Sequence, residues 1–561
     1  MKKILPIGKD DFRKVRETKT ESYYVDKSLI IKDFLDYEQE VTLITRPRRF
    51  GKTLNMTMIR EFLDITVDSE KIFDGLAIMG TEYKAVMNTI PVVFLSFKNC
   101  TGQTIDEIEL SIAEEVFREY KKHAKFLENV DKSCDSYTRF FQTLNMLRKL
   151  HVTKEQFRSD NLRDFIIHNL VLLKNSLSYL AEVLYNFYEV RPVFLIDEYD
   201  NPIIESHIGG FRDSFTEFYS TFLSAILKGN NYLNQALLTG IQRVAKESIF
   251  SKLNNISVYS VLDNLYSSYF GLTEKETKKL LEYYELTLNN TVKMYYDGYV
   301  FADYEMYNPW SILNFAQMRQ LKSYWLKTST NSLIQESVLK ADYNFHSSFE
   351  NLIKFGYVRI SLNLEASFIE LPRTDTLWGL FVNAGYLSVV DFNYEYNLFT
   401  VKIPNKEIET EFKQIVSAYT KLSSQTLQNM LISLIEGEMS KFLDSYQQLV
   451  LESTSFYDSK ENAYHMLFLG MVMNLRDMYN IKSNIESGYG RSDIIMESTS
   501  SSRPHILLEF KQGTNLIELK REALSQIEEK KYFANLSGEV LCVGIAHNSK
   551  KCEIEYEYRN L

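Results

Sequence analysis

The chain is poor in the residues that mark several protein classes. Only four of its 561 residues are cysteine (Cys100, Cys134, Cys542 and Cys552). They are scattered without Cys-x-x-Cys spacing, so neither a zinc site nor a disulfide framework is suggested, and a reducing compartment fits. Nine prolines and 21 glycines leave little material for long flexible linkers. No segment approaches the roughly 18 uninterrupted apolar residues that a membrane span requires. The most apolar run, 466–473, reads as a buried core helix. The first residues, Met1-Lys2-Lys3-Ile4-Leu5-Pro6, begin basic but carry no apolar stretch long enough for a signal peptide. The expected location is cytoplasmic, with no membrane partner.

Aromatic residues are plentiful at 14%, while a hydrophobic fraction of 45% and a charged fraction of 25% are ordinary for globular protein. The length exceeds one core and calls for about two to four domains. A formal charge of −10 argues against a nucleic-acid-coating surface over the whole chain but leaves room for a local basic track. Short apolar segments at 41–45, 91–97, 193–196 and 235–239 alternate with helix-like stretches, notably 104–123 and 161–188. That alternation predicts a parallel sheet covered by helices. From 262 to 439 the pattern is mostly helical with tyrosine-rich turns. After 453 it changes again: a helix at 460–479, a glycine-bearing turn at 487–490 and strands at 492–496 and 505–510. A helix at 515–532 and a final strand at 540–545 complete a second α/β unit.

The first strand runs into Thr45-Arg46-Pro47-Arg48-Arg49-Phe50-Gly51-Lys52-Thr53-Leu54 and then a helix-compatible segment. Strand, tight loop, Gly-Lys-Thr and helix make a phosphate cradle. Loop and helix N–H groups face a polyphosphate, Lys52 reaches its outer oxygens, and Thr53 ligates magnesium. Arg46 stands where G-x-x-x-x-G-K-[ST] has its first glycine, so the first turn must use φ < 0 or strain. The expected nucleotide contacts are Arg46, Pro47, Arg48, Arg49, Phe50, Gly51, Lys52, Thr53 and Leu54. Arg46, Arg48 and Arg49 either pair with nearby acids or contact phosphate, and at least one is expected near phosphate. The partner segment is Val193-Phe194-Leu195-Ile196-Asp197-Glu198, a buried strand delivering carboxylates at its end. Asp197 is expected to hold magnesium through water and Glu198 to polarise the attacking water as general base. Thr239, ending the next strand, is a candidate γ-phosphate sensor or a plain strand-end threonine. Arg243 is a candidate phosphate contact or arginine finger, or a surface arginine.

Near the C-terminus, Asp493 lies on one strand and Glu509 and Lys511 on the next. Residues two apart on a strand face one side, and hairpin pairing would bring Asp493 beside them. Two carboxylates then hold a divalent cation, and the lysine positions water or offsets phosphate charge. Glu486, or less readily Glu461 beside His465, is a further metal-ligand candidate. Gln526 is a candidate contact to the site or to a nucleic-acid backbone. Lys520, Arg521, Lys530 and Lys531 form either a basic track or a solvated helix face.

Tyr24-Val25-Asp26-Lys27-Ser28, the arginine-rich loop, Leu195-Ile196-Asp197-Glu198-Tyr199-Asp200, Leu238-Thr239-Gly240-Ile241 and the segment 248–255 resemble the bacterial AAA-ATPase-like family. The Asp493, Glu509, Lys511 set, with Ser492 in the eponymous proline's place, resembles the PD-(D/E)XK nuclease superfamily. So do 483–491, Ala523-Leu524-Ser525-Gln526-Ile527 and Lys531-Tyr532. The resemblance implies an α/β chain in three parts. These are an ATPase with a P-loop NTPase parallel sheet at 1–261, a mostly helical lid or linker at 262–450, and a restriction-endonuclease-like domain at 451–561. It implies ATP with Mg²⁺ at the first site, Mg²⁺ or Mn²⁺ at the second, and a nucleic-acid substrate, DNA ahead of RNA. The expected function is an ATPase coupled to a metal-dependent nuclease. The alternatives are a regulatory ATPase whose second module binds without cutting, and a nucleotide-gated switch using the aromatic middle as a partner or homo-oligomer surface.

Overall fold

The computed structural model describes the chain except residues 1, 18–20, 128–133, 154–158, 243–254, 326–336, 338–340, 342, 365–372, 394, 411, 413–423, 453–467, 469–470, 473–474, 476–477, 488–489 and 549–550. The side chains of 153, 159–162, 343, 346–347, 350, 353–354, 424, 452 and 483–491 also lie outside that description. Arg243, Glu461 and His465 therefore fall outside the described residues, as does most of the helix expected at 460–479. Among the described residues, no helix is long and apolar enough to cross a membrane.

Two compact units divide the chain. The first comprises Met1–Trp325, Ser361–Val390 and Pro404–Lys406; the second comprises Leu326–Ile360, Asp391–Ile403 and Glu407–Leu561. In the first, strands β1 (Val41–Thr45), β2 (Val92–Ser96), β3 (Val193–Asp197), β4 (Ala236–Gly240) and β5 (Ile256–Tyr259) form one sheet in the order β2–β3–β4–β1–β5. Every neighbouring pair is parallel. β1, β3 and β4 are buried along their whole length, which is why they read as unbroken apolar runs rather than alternating ones. The pairing sets Thr45 beside Gly240, Ile44 beside Thr239 and Ser96 beside Asp197. The carboxyl ends of β1, β4 and β3 thus form one edge, where parallel sheets place their ligands.

Helix α1 (Lys52–Leu63) leaves the β1 edge from Gly51. Helix α2 (Ile105–Ala124) is capped by the Thr104 hydroxyl accepting from the Glu107 N–H, with acids in its first turn and Lys121, Lys122 and His123 in its last, as the helix dipole favours. The single helix expected over 161–188 is two, Ser159–His168 and α3 (Leu170–Tyr188). Asn169 leaves helical geometry there, and its amide donates to the Phe165 carbonyl at 2.8 Å, the local backbone bonding that makes asparagine a poor interior residue. The middle of the chain also carries strands that a helical reading misses. β6 (Leu272–Thr273), β7 (Tyr299–Phe301) and β8 (Tyr304–Tyr307) make a small antiparallel sheet in the first unit.

In the second unit, β9 (Tyr357–Ile360) pairs antiparallel with β10 (Leu398–Lys402). Its main sheet runs β11 (Tyr479–Ser487), β12 (Gly490–Ser498), β13 (His505–Gln512), β14 (Glu539–Asn548), β15 (Lys551–Asn560). Only β13 and β14 are parallel, and the crossover between them carries helix α4 (Leu516–Glu529). The expected pair of strands and a last one becomes five. β15 follows what was read as the final strand, and Tyr479 opens a strand rather than closing a helix. Side chains alternate across this sheet. Ile494, Leu508, Phe510, Val543 and Ile545 pack with buried residues of the helices Ser424–Ile435 and Met439–Glu452. Ile495, Leu507, Val540 and Cys542 pack with Ile527 of α4. Asp493, Glu509 and Lys511 continue the face that α4 covers.

His547 is buried on β14, its Nε2 in a hydrogen bond of 2.9 Å with the Tyr446 hydroxyl. Burial pushes its pKa down to about 3 from 6.5, because the imidazolium would lose its hydration. The folded state therefore binds fewer protons than the unfolded one below pH 6.5, so this contribution is intact above pH 6.5 and is lost as pH falls toward 3. Denaturant titrations should show the second unit losing about 2 kcal/mol between pH 6.5 and pH 5. His547→Gln should flatten that dependence.

Candidate active sites

At the first edge, the Asp197 carboxylate at the end of β3 links the start of α1 to the end of β4. Its Oδ2 accepts from the Thr53 hydroxyl at 2.7 Å and its Oδ1 from the Thr239 hydroxyl at 2.6 Å. A hydroxyl and a carboxylate side by side are the hard oxygen donors that suit magnesium, so Thr53 and Asp197 fit that ion. Glu198 follows in a left-handed conformation, φ 51, which for a non-glycine residue is strain of the kind held at functional sites. Burial raises its pKa, Asp197 raises it further, and Lys52 and Arg48 oppose the shift. Two residues on, the Asp200 carboxylate accepts from the N–H groups of Ile241 at 2.9 Å and Gln242 at 3.1 Å. The loops after β3 and β4 are thereby tied together.

The loop before α1 uses left-handed geometry at Arg49 (φ 67) and Gly51 (φ 87), and not at Arg46. A Cβ on Gly51 would meet nothing within 4 Å, so glycine is required there by φ rather than by crowding. Lys52 is buried, and its Nζ donates to the carbonyls of Arg46 and Pro47 at 2.9 and 3.0 Å. Burial lowers its pKa, opposed by Glu198, Asp197 and Asp200.

The three loop arginines separate. Arg46 is wholly buried and donates through Nη1 to the carbonyls of Thr45, Tyr259 and Ser260 at 2.8, 3.0 and 2.6 Å. It lies against the Phe270 and Phe301 rings, and burial brings its pKa down to about 9, still charged at neutral pH. Arg49 stacks over Trp310 at 4.6 Å and donates to the Tyr324 carbonyl at 2.9 Å. Phe50 is buried against Tyr299 and Phe301, each ring centroid 5.0 Å away. Arg48 is half-buried and acts electrostatically on Glu198, Lys52 and Glu205. Of the three guanidiniums, Arg48 is the one whose charge reaches the carboxylate edge.

In the second unit, β12 and β13 pair from Ile494–Leu508 to Met496–Ile506. Next to that ladder, carboxylates take over the strand contacts. Asp493 Oδ2 accepts from the Phe510 N–H at 2.8 Å, and Glu509 Oε2 from the Asp493 N–H at 3.3 Å. Lys511 Nζ stands 4.0 Å from Glu509 Oε1. Glu509 is buried, while Asp493 and Lys511 are half-buried. From α4, the Gln526 amide donates to Glu509 Oε1 and, at 3.0 Å, to the Tyr532 hydroxyl. Asp493 and Glu509 offer oxygen donors suited to a hard divalent cation. Ser492 has its hydroxyl buried without a partner among the described residues. Glu486 sits on β11 opposite Arg491, with its side chain outside the described residues. Of the basic residues on α4 and just after it, Lys520 pairs with Glu553 and Glu555, while Arg521, Lys530 and Lys531 are exposed.

Comparisons to known families match the two regions that hold these side chains. Residues 6–250 match the family described as Predicted AAA-ATPase, and 459–557 the PD-(D/E)XK nuclease superfamily. The chain joins an AAA-ATPase-like domain to a PD-(D/E)XK module. It is also 26% identical over 339 residues to an uncharacterized protein in the vnfD 5' region of Azotobacter chroococcum mcd 1, covering 59% of this chain. The match spans 55% of that relative's length.

In the ATPase-like domain, sequence reasoning left Asp200 without a role, although Asp-Glu-Tyr-Asp places it three residues beyond Asp197. It also gave no sign that Trp310 and Tyr324 would hold Arg49, since such contacts lie hundreds of residues apart in the chain. In the nuclease-superfamily module, Tyr532 gained its place only through the turn after α4. That helix can lie on β14 because Gly544 pairs beside Glu509 and has no side chain. A Cβ there would stand 2.4 Å from the Lys520 carbonyl oxygen and 2.6 Å from the Leu524 nitrogen. Gly544→Val should therefore cost about 1–3 kcal/mol by overpacking, read as a lowered urea midpoint. An unchanged midpoint would mean that α4 does not rest on this strand's backbone.

Proposed function

We propose that the protein binds and hydrolyses ATP and that this activity drives or licenses metal-dependent cleavage of a nucleic acid, DNA ahead of RNA. The Asp197 carboxylate joining Thr53 to Thr239 carries the first half. It puts a magnesium-type donor pair at the start of α1, with an adjacent strained carboxylate. Lys52 and the N–H groups at the start of α1 bind the phosphates. Thr53 and Asp197 hold the magnesium ion, which when bound neutralises phosphate charge. Glu198, its proton affinity raised by burial, accepts a proton from the attacking water. Thr239 reports on the terminal phosphate from the neighbouring strand.

The Asp493 carboxylate on the Phe510 N–H and the Glu509 carboxylate on the Asp493 N–H, with Lys511 alongside, support the second half. The two carboxylates hold the divalent cation, which when bound stabilises charge developing on the phosphodiester. Lys511 orients water and offsets phosphate charge, while Gln526 keeps Glu509 in place. A complete acid–acid–lysine set favours cutting over a module that merely binds.

With saturating Mg²⁺, Lys52→Ala or Glu198→Gln should lower ATP turnover by about 100-fold or more, the scale on which a general base or charge stabiliser acts. Turnover that survives in both variants would refute the site. In nuclease assays over single- and double-stranded DNA and RNA, with and without ATP, Mg²⁺ or Mn²⁺ should support cleavage. Asp493→Ala or Lys511→Ala should abolish it. Nucleic-acid binding with no cleavage in the unaltered protein would favour the regulatory alternative.

A further inference from the structure

The small antiparallel sheet of the first unit carries a group of acids that neither proposed reaction uses. Glu274 opens the helix Glu274–Tyr283 directly after β6, Asp297 follows the helix Asn290–Tyr296, and Glu305 lies on β8. One carboxylate oxygen from each lies within 4.8 Å of the other two. That limit is the span across a calcium ion, whose bonds to oxygen are about 2.3–2.6 Å; magnesium, at about 2.0–2.1 Å, asks for a tighter set. The backbone at Asp297 is pinned. Its carbonyl accepts from the Asn405 amide at 2.8 Å. The next residue, Gly298 at φ 98, lies so close to Pro404 that a Cβ there would stand 2.0 Å from the Pro404 carbonyl oxygen.

Two further features point to a cation. Tyr307 is fully buried and stands two residues after Glu305 on β8, so both side chains leave the same face of the strand. Its hydroxyl has no hydrogen-bond partner among the described residues, although Asp297 lies near enough to act on it as an acceptor. Burial raises the pKa of this phenol, and the charges of Asp297, Glu274 and Glu305 raise it further, so the hydroxyl faces the acids. The second feature is Lys293, one helical turn before Asp297 and partly exposed. Its ammonium donates to Glu274 Oε2 at 2.7 Å, and Glu274, through that bond above all, with Asp297 and Glu305 raises its pKa. A positive charge thus already rests where the three acids act together. Three carboxylates against one ammonium leave two negative charges unmatched within this group, the charge that a divalent cation supplies. We propose that Glu274, Asp297 and Glu305 bind a hard divalent cation, calcium ahead of magnesium, with the Lys293 side chain swinging out to solvent as the ion enters. The Tyr307 hydroxyl then donates to a carboxylate that the ion holds in place. This inference is independent of the nucleotide reading. The sheet it concerns is the one whose Tyr299 and Phe301 enclose Phe50 of the phosphate loop.

Isothermal titration of the nucleotide-free, full-length protein with CaCl₂, and separately with MgCl₂, reads this site through its variants. Glu305→Gln, at an exposed side chain, should weaken one Ca²⁺ equivalent at least about tenfold, and Asp297→Asn should do the same. Lys293→Ala should tighten that equivalent about threefold or more, because the competing ammonium is gone. Acids that merely pair with Lys293 would respond differently: the lysine variant would show a lower urea midpoint and no gain in Ca²⁺ affinity, which would overturn the site. Millimolar Ca²⁺ should raise the urea midpoint of the unaltered protein, and by less in Glu305→Gln. Identical Ca²⁺ isotherms for the unaltered protein, Glu305→Gln and Lys293→Ala would overturn the site as well. Mg²⁺ bound in the Glu305-dependent equivalent as tightly as Ca²⁺ would overturn the preference for calcium.

Discussion

A buried guanidinium holds the first site in shape. Taking an arginine out of water costs several kcal/mol. Arg46 offsets part of that through Nη1, which donates to three carbonyls at and just beyond the ends of β1 and β5, while its Nε and Nη2 are buried with no hydrogen-bond partner among the described residues. Its flat faces lie against Phe270 and Phe301. A phosphate loop that opens with glycine relies on a free backbone at this point. Here the side chain fastens the backbone to the sheet, and the left-handed residues fall later, at Arg49 and Gly51. Lys52 inherits that arrangement, because its ammonium is bound by the carbonyls of Arg46 and Pro47. Loss of the Arg46 side chain would leave those strand-end carbonyls short of a donor and untie from the sheet the backbone whose carbonyls hold Lys52.

The neighbouring loop residues extend the same constraint outward. Arg49 and Phe50 face the segment around Tyr299, Trp310 and Tyr324 rather than the carboxylate edge. An arginine-rich loop therefore delivers less charge to phosphate than its composition suggests. Lys52, Arg48 and Lys98 face Asp197 and Glu198, and Lys52 and Arg48 act in the direction of keeping Glu198 ionised against its burial. The balance suits a base that must hold a proton only transiently.

Much of this was legible in the sequence for physical reasons. β1, β3 and β4 are buried on both faces, so their apolar runs stood out, and Asp197 and Thr239 ended them where a parallel sheet presents ligands. Asp493, Glu509 and Lys511 obey a period of two, which strand geometry preserves in any hairpin. The rest depended on contacts that period and propensity do not encode. Nothing local distinguishes Arg46, bound to carbonyls, from Arg48, facing acids. Tyr479–Ser487 mixes polar and apolar residues too evenly to announce a strand until β12 lies beside it. Lys551–Asn560 does alternate Glu-Ile-Glu-Tyr-Glu-Tyr, and so its edge-strand character was available to a stricter count of alternation. The break at Asn169 was likewise readable from its side-chain chemistry, but the apolar residues on either side masked it.

The two sites share a way of keeping acids ready. Two or more carboxylates held close repel one another, and buried ones lose hydration. In the first site Asp197 is satisfied by the hydroxyls of Thr53 and Thr239. In the second, Asp493 and Glu509 accept from strand N–H groups and Glu509 also from Gln526. Each set is thus held in position by neutral donors, and its negative charge remains available to a cation. Among the described residues, the cation paired with these acids is the half-buried, weakly placed Lys511, 4.0 Å from Glu509. Preorganisation of this kind lowers the reorganisation that binding requires. On the proposed metal-binding reading, it also makes the donors, Thr239 and Gln526 above all, determinants of metal affinity even though neither need touch the ion.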